Sequence, residues 1–238
     1  MEWFVIITGD RSDLEDLSKA LSSSELSIIK EEQNFALKST GFNSLNDAKD
    51  VKNKASEIVA LVNGAARLDL GMRKPLSVAH VVKVKDNGTR VFFVEVSATI
   101  TAHSHVTASV VGADGAIQEV RQESPILSWV AAAQRDENVG KVLRLFGLGH
   151  HDWVNLYRIY EVVENDIGGI SNIVRKGWAT EKSIKRFKHT ANSPGVIGDE
   201  SRHGKQTSKL PKAPMALSEA KSLVETILHN WLRMKGKN

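Results

Sequence analysis

A basic segment near the C-terminal end of the chain holds the residues best suited to chemistry. It reads KRFKHTANSP from residue 185 and GDESRHGK from residue 198. Arginine and lysine bind phosphate oxygens, and a histidine with a pKa near ~6.5 can transfer a proton at neutral pH. We therefore predict that this segment contacts an anionic ligand. The basic cluster, as we call it, consists of Arg186, Lys188, His189, Arg202, His203 and Lys205.

The basic cluster is compatible with three functions. The first is binding or processing of RNA or another polyanion, with His189, Arg202 and His203 as candidate catalytic residues. The second is a protein-interaction subunit without enzymatic activity, in which the region docks an acidic partner and the cluster is a structural lock. The third is a small-molecule enzyme that uses the same side chains. A steep salt dependence of nucleic-acid binding would distinguish the first function from the others.

Two further groups of histidines have the residue types of a metal site, but neither is predicted to bind metal. His150 and His151 are adjacent, so their side chains diverge, and Asp152 is better placed to cap the next helix. His103 and His105 would share one face of a strand, but two ligands alone seldom hold zinc. We predict no metal site.

The aromatic residues of the C-terminal part are predicted to be structural. Trp153, Tyr157 and Tyr160 fall at helical spacing and should lie on one buried face. The sequence places three other tryptophans among apolar residues, which favours helix-packing anchors over platforms for stacking bases. These are Trp129, Trp178 and Trp231.

Several signatures of nucleotide, hydrolase and metalloenzyme chemistry are absent from the sequence. It contains no phosphate-binding loop ending in Gly-Lys-Ser/Thr, no Gly-x-Gly-x-x-Gly turn, no Gly-x-Ser-x-Gly elbow and no His-Glu-x-x-His pair. Nucleotide hydrolysis and serine-hydrolase chemistry therefore have no support in the sequence. No cofactor is predicted.

The C-terminal part of the chain resembles an uncharacterised bacterial protein family. The likeness is carried by the strings LYRIYE from residue 156, HTANSP from residue 189 and GDESRHG from residue 198. It covers mainly residues 140–235. The resemblance implies that this segment carries the active surface, and it implies no particular activity.

The helical region is also loosely similar to the HEPN-type ribonucleases, which use an arginine and a histidine a few residues apart. The nearest spacing of that kind is Arg144 to His150. This pair departs from the family pattern because Leu145 replaces the polar residue that commonly follows the arginine, and two intervening glycines indicate a helix end. Arg186 and His189 share a helical face but are too close together for the motif.

Composition and charge limit the class of protein. The 238 residues include no cysteine, which excludes disulfides, thiolate metal sites and a cysteine nucleophile, and predicts a reducing, cytoplasmic location. Residues 170–238 carry 14 basic and 5 acidic side chains, an excess of +9 within a net charge of +4, so the rest of the chain is at −5. This asymmetry favours an anionic partner for the C-terminal part. No stretch approaches the ~20 apolar residues of a membrane span, and no membrane association is predicted.

An antiparallel sheet is predicted in the N-terminal half of the chain. The strongest hairpin signal is Asp86-Asn87-Gly88, for which we expect a type I′ turn with positive φ at both Asn87 and Gly88. Alternation and β-branched residues predict strands at residues 3–8, 26–30, 35–38, 78–85, 89–101 and 105–111.

Two helices are predicted to pack on this sheet, and five more follow it. The first opens with a capping box at residues 12–15. The second is capped by Ser44 and stops at Asn63-Gly64. Ser218 is the expected cap of the last helix, whose broad apolar stripe should be buried. The five later helices are predicted at residues 126–134, 139–146, 153–165, 181–191 and 217–234.

These patterns together predict an α+β fold. Residues 1–122 should form an N-terminal domain with an antiparallel sheet and two helices, and residues 123–238 a C-terminal helical bundle. Residues 193–215, which separate the last two helices, are rich in Gly, Pro, Ser and Lys and lack periodicity. A connection of that length is usually functional or disordered, and this basic loop is therefore predicted to belong to the contact surface.

Overall fold

The protein has the α+β architecture predicted from its sequence. The computed structural model describes residues 2–93, 124–205 and 209–237. The described strands form one antiparallel sheet, and a helical region follows it along the chain. The strands are β1 (Glu2–Thr8), β2 (Leu26–Glu31), β3 (Asn34–Ser39), β4 (Ser77–Val84) and β5 (Arg90–Phe93). The helices are α1 (Arg11–Ala20), α2 (Ala48–Asp69), α3 (Ile126–Arg135), α4 (Glu137–Gly147), α5 (Trp153–Asp166), α6 (Ile170–Arg175), α7 (Glu181–Ala191), α8 (Pro194–Ile197) and α9 (Leu217–Lys235).

The sheet has the strand order β2-β3-β1-β4-β5, which places β1 at its centre. Because side chains alternate along a strand, β1 contributes to two apolar clusters. Trp3, Val5 and Ile7 belong to the main core with the helices, whereas Phe4 and Ile6 belong to a smaller cluster on the other face. The central strand is therefore apolar on both faces.

The predicted hairpin joins β4 to β5, but its turn differs from the expected type I′. Among these turn residues only Gly88 has a positive φ, +79°, and Asn87 does not. The Gly88 amide donates to the Lys85 carbonyl (2.8 Å), and the Lys85 amide donates to the Thr89 carbonyl (2.9 Å). The loop therefore has three residues and ends on a left-handed glycine, a geometry that a short Asn-Gly signal does not distinguish from a two-residue turn.

The first two helices are capped by aspartates rather than by the predicted serines. The Asp10 carboxylate accepts from the Ser12 amide at 3.0 Å, so α1 begins before the predicted capping box. Asp47, not Ser44, caps α2 and accepts from the Lys49 amide at 2.6 Å. A carboxylate is a stronger acceptor than a hydroxyl and is also favoured by the positive end of the helix.

The predicted stop at Asn63-Gly64 is wrong, because α2 continues through it to Asp69. Asn63 uses its side chain to fix the loop before β4, donating to the Leu76 carbonyl (3.0 Å) and accepting from the Leu76 amide (2.8 Å). Gly64 faces α4, where a Cβ atom would lie 2.0 Å from the Leu143 carbonyl oxygen. Both residues are therefore explained by tertiary contacts rather than by a helix end.

The helical region contains the five predicted helices and two short ones, α6 and α8, that lack the length needed for a periodic signal. α9 is buried along one face, as its apolar stripe predicts, but Ser218 lies within it. At its start the Glu219 carboxylate accepts from the Ala216 amide at 2.9 Å. None of the helices in the described ranges has the length and apolar composition needed to cross a membrane.

One contiguous core connects the two parts of the chain. It includes β1 and α2 residues together with residues of α3, α4, α5, α7 and α9. The contact between α2 and α4 is close because glycines meet there: the amide of Gly64 lies 3.0 Å from the position a Cβ of Gly147 would take. The predicted domain boundary at residues 122 and 123, the predicted strand at 105–111, and His103 and His105 lie outside the described residues.

Candidate functional site

Arg186, the first residue of the basic cluster, holds the segment before α9 against α7. Its guanidinium forms a bidentate pair with the Glu219 carboxylate, at 3.1 and 3.0 Å. The same group donates to the carbonyls of Ala213 (2.9 Å) and Pro214 (2.7 Å). The backbone amide of Met215 adds a hydrogen bond to Thr190 of α7 at 3.0 Å. The donors of Arg186 are therefore directed at protein acceptors.

Lys188 and Arg202 face α5 and are each paired with a glutamate there. Lys188 donates to both carboxylate oxygens of Glu164 at 3.0 Å, and its side chain is 30% exposed against 15% for Glu164. Arg202 donates to Glu161 at 3.0 Å, and its guanidinium lies over the ring of Tyr157 at 4.3 Å from the centroid. These contacts fasten α7 and the start of the basic loop to α5.

The remaining members of the basic cluster are exposed. The Nε2 atom of His189 lies 2.7 Å from the Lys209 carbonyl, so this ring also holds the basic loop. His203 and Lys205 are exposed, and the His203 amide donates to the Ser201 hydroxyl at 3.3 Å. His189 and Arg202, two of the three candidate catalytic residues, are thus held by different partners, a backbone carbonyl and a carboxylate.

The other motifs singled out in the sequence have structural explanations. Asp152 caps α5 and accepts from the Asn155 amide at 2.7 Å, as predicted. Arg144 is exposed on α4, which ends at Gly147, so His150 lies beyond the helix that would have to present both residues of a HEPN-type pair. The pair is therefore not presented by one helix.

A second group of cations lines a cavity of about 660 Å³ that the sequence analysis did not identify. The cavity lies between the C-terminal end of α2, the loop that follows it, His151 before α5 and one face of α9. We call it the cationic pocket. Its charged and titratable lining residues are Arg67, Arg73, His151, Lys221, Glu225, His229 and Arg233.

Arg67 is fixed at the wall of the cationic pocket. Its Nη2 atom donates to the Arg73 carbonyl at 2.9 Å. The guanidinium packs on Gly149, where a Cβ atom would lie 3.0 Å from Nη2 and where φ is +76°. Its Nε atom is buried and has no hydrogen-bond partner. A glycine at this position therefore leaves the space that the guanidinium fills, and the pocket wall retains an unsatisfied donor.

Two histidines of the cationic pocket are held edge-on by aromatic rings. His151 meets Phe146 with ring centroids 4.7 Å apart, and its Nδ1 atom is buried without a hydrogen-bond partner. His229 meets Trp129 at 5.3 Å. Burial lowers the pKa of His151, and the positive charge of Lys221 lowers it further. Burial also lowers the pKa of His229.

The electrostatic balance of the cationic pocket differs from that of the basic cluster. Glu225 is the one acidic side chain among the described residues that line it, and it lies 3.7 Å from Lys221. Within the described parts of the chain, Arg73 and Arg233 form no salt bridge. Cations without a paired carboxylate attract anions more strongly than paired ones. The pocket therefore has a stronger attraction for an anion than the paired part of the basic cluster.

The sequence does contain a signal for the part of the cationic pocket that α9 contributes. Lys221, Glu225, His229 and Arg233 are spaced by four residues and so lie on one face of α9, beside its apolar stripe. Nothing local in the sequence shows that Arg67 and the loop after α2 face that stripe. This proximity arises from tertiary packing.

Comparison of the chain with protein-family models, with curated proteins and with solved structures finds no significant match. The resemblance to a bacterial family stays a prediction.

Proposed function

We propose that the protein binds RNA or another polyanion and that the cationic pocket holds a phosphate group of the ligand. The observation that carries the proposal is the convergence of Arg67, Arg73, Lys221 and Arg233 on one cavity with a single carboxylate. Arginine suits this role because its planar guanidinium matches the oxygens of a phosphate. The function is the one predicted for the basic cluster, but the contact surface is different.

The guanidinium of Arg67 also supports an anionic ligand. Arg67 lines the cavity, and its fixed positive charge is favourable for a phosphate group. The lowered pKa of His151 and of His229 reflects burial and nearby positive charge, and it leaves both rings mostly neutral at pH 7. Each neutral ring keeps one N–H that can donate to a phosphate oxygen.

The test is removal of the two unpaired arginines that are exposed. Arg73→Gln together with Arg233→Gln should weaken binding of an inorganic polyphosphate chain, measured by calorimetry across a salt titration. Each contact with a phosphate releases counterions and makes binding more sensitive to salt. The slope of log K against log salt should therefore become shallower by an amount equal to about two such contacts. Thermal unfolding should change little, since neither arginine forms a salt bridge with a described residue.

A matched control removes two positive charges elsewhere. Lys30 on β2 and Lys141 on α4 are exposed, and Lys30→Gln with Lys141→Gln gives the same change in net charge. This control should keep the wild-type salt slope. Equal loss of binding in both double variants, or no binding of polyphosphate by the wild type, would contradict the proposal.

The contacts of the basic cluster favour a structural lock, which was one part of the second function considered for it. Arg186, Lys188 and Arg202 each face a glutamate, and the His189 ring holds a backbone carbonyl. His203 and Lys205 stay available for longer-range attraction of a polyanion, because both are exposed. The ion pairs therefore favour a lock between the basic loop, α7 and α5.

A further inference from the structure

A second, shallower depression continues from the cationic pocket along the surface of α9. It has a volume of about 520 Å³, and Asn230 and Arg233 line both cavities. Its other lining residues are Lys176, Trp178, Met234 and Lys237. The two cavities are therefore adjacent, with Arg233 shared between them, and we call the pair the track.

Trp178 differs from the other tryptophans of the chain. The chain has five, and the other four, Trp3, Trp129, Trp153 and Trp231, are at most 6% exposed. Trp178 is half-buried and lines the depression, and the ammonium of Lys176 lies 5.7 Å from its ring centroid. Its indole packs against the core but keeps part of its surface open, and it is thus the tryptophan ring that a ligand on the surface can reach.

The backbone fixes Trp178 in place. The Gly177 amide donates to the Val174 carbonyl (2.9 Å), the Trp178 amide donates to the Ile173 carbonyl (3.1 Å), and Gly177 has a φ of +72°. This is the Schellman end of α6, which requires a left-handed residue and so favours glycine. A ring held on such a rigid turn loses little conformational entropy when a flat group stacks on it.

Three cations line the same depression as this ring. Lys176 and Lys237 lie with Trp178 in the depression, and Arg233 separates them from the arginines of the cationic pocket. None of these three forms a salt bridge with a described residue. Alternation of positive side chains with an accessible aromatic face is the pattern by which proteins bind single-stranded nucleic acid.

From this arrangement we infer that the ligand is a single-stranded nucleic acid, with one phosphate in the cationic pocket, the chain passing Arg233, and a base stacked on Trp178. The inference rests on the proposed function and adds the ligand class and the second subsite. Single strands are specified because the bases of a duplex stack on one another and do not offer a free face to the indole.

The first experiment titrates the protein with an eight-nucleotide oligouridylate and an eight-nucleotide oligothymidylate and follows tryptophan fluorescence. Stacking on Trp178 should quench the signal, and Trp178→Phe should remove most of that quenching because the other tryptophans are buried. Trp178→Ala should weaken oligonucleotide binding on the order of tenfold, the effect typical of losing one base–aromatic stack. Comparison of the two oligonucleotides shows whether RNA or DNA is preferred.

A matched control and a second ligand keep the test informative. Phe92→Ala removes another exposed aromatic ring, 56% exposed on β5, and should leave oligonucleotide binding unchanged. Polyphosphate binding should be the same in Trp178→Ala as in the wild type, which also shows that the variant is folded. A blunt duplex of the same strand length should bind more weakly than the single strand.

Failure of this inference can be separated from failure of the proposed function. If polyphosphate binds through Arg73 and Arg233 but Trp178→Ala binds both oligonucleotides as the wild type does, the stacking subsite is wrong and the proposed function stands. Equal affinity for duplex and single strand would overturn the inference as well. If polyphosphate itself does not bind, both are wrong.

Discussion

At the scale of single residues, the close approach of α2 to α4 depends on a glycine in the middle of a long helix. Gly64 faces α4 so closely that a Cβ atom would lie 2.0 Å from the Leu143 carbonyl oxygen. That oxygen belongs to a helix backbone, which cannot move aside without shifting the whole helix. The helix-propensity cost of glycine is therefore outweighed by the approach of the two helices.

We predict that Gly64→Ala destabilises the protein by about 3 kcal/mol, because overpacking at this contact forces α2 and α4 apart. Alanine would be the better residue in an isolated helix, so the sign of the effect identifies tertiary packing as the cause. Chemical denaturation of the purified variant measures the loss.

Gly204→Ala is the control for this prediction, because no atom lies within 4 Å of the position its Cβ would take. The control should melt as the wild type does. A Gly64→Ala variant as stable as the wild type would mean that the helices are further apart than the structure shows.

Gly64 also shows where inference from sequence is limited. An Asn-Gly pair after a run of helical spacing is a common helix end, and the local pattern gives no reason to expect an exception. Asn63 forms hydrogen bonds with Leu76, and Gly64 lies against Leu143. Both partners lie outside the helix, and Leu143 is also distant along the chain. Such contacts leave no local periodicity.

At the scale of elements, α9 carries three different faces along one helix. Its apolar face was predictable from spacing and is buried in the core. Its four-residue stripe of charged and histidine residues lines the cationic pocket. In its last turn, Lys235 donates to Asp136 at the start of α4 (2.7 Å) and to Asp166 at the end of α5 (2.9 Å). The helix therefore connects the core, the pocket and the packing of α4 against α5.

Asp166 is the centre of the network at the end of α9. It accepts from Lys235, from the indole of Trp231 (2.8 Å) and from Asn138 (3.1 Å), and its side chain is 11% exposed. These hydrogen bonds hold its pKa below the usual value of 3.8, although burial acts in the opposite direction. A carboxylate whose pKa is lowered by folding stabilises the folded state above the unfolded pKa, and that contribution is lost as pH falls through the folded value.

We predict that Asp166→Asn lowers the free energy of unfolding by about 2 kcal/mol at pH 7, because three charge-assisted hydrogen bonds are lost or weakened. The same variant should lose less stability than the wild type when the pH falls from neutral to below 3.8, since the titrating group has been removed. Thermal melts across that pH range measure both effects.

Glu181→Gln on α7 is the control for the network. Glu181 also has a lowered pKa, through Lys185, but both side chains are exposed and screened by solvent. Its substitution should leave the stability and its pH dependence close to those of the wild type. Identical acid profiles for Asp166→Asn and the wild type would show that the network does not contribute to acid unfolding.

At the scale of the whole molecule, the positive charge of the C-terminal part is divided between two uses. Arg186, Lys188 and Arg202 face glutamates within the fold, whereas Arg233, Lys176 and Lys237 line the surface track. Net charge along a sequence counts both groups equally, which is why the +9 segment predicted an anionic partner but not the surface that would bind it.

The fold was more predictable than the site for a physical reason. Strand alternation and helical spacing are properties of neighbouring residues, and they correctly predicted the antiparallel sheet and the five longer C-terminal helices. The cationic pocket needs Arg67 and Arg73, which lie in the part of the chain with a net charge of −5, to meet α9. Only the packing of α2 against the helical region brings those arginines to the same cavity as Arg233.

The last prediction decides between the two basic surfaces. We expect the triple variant Arg186→Gln, Lys188→Gln, Arg202→Gln to lower the free energy of unfolding by about 2 kcal/mol, because three partly exposed ion pairs and their hydrogen bonds are lost. Polyphosphate binding should keep its wild-type salt slope, since the cationic pocket is intact. Chemical denaturation and a salt titration on the same sample measure both quantities. A flattened slope with unchanged stability would instead assign the polyanion contact to the basic cluster, because only side chains that bind the ligand contribute to counterion release.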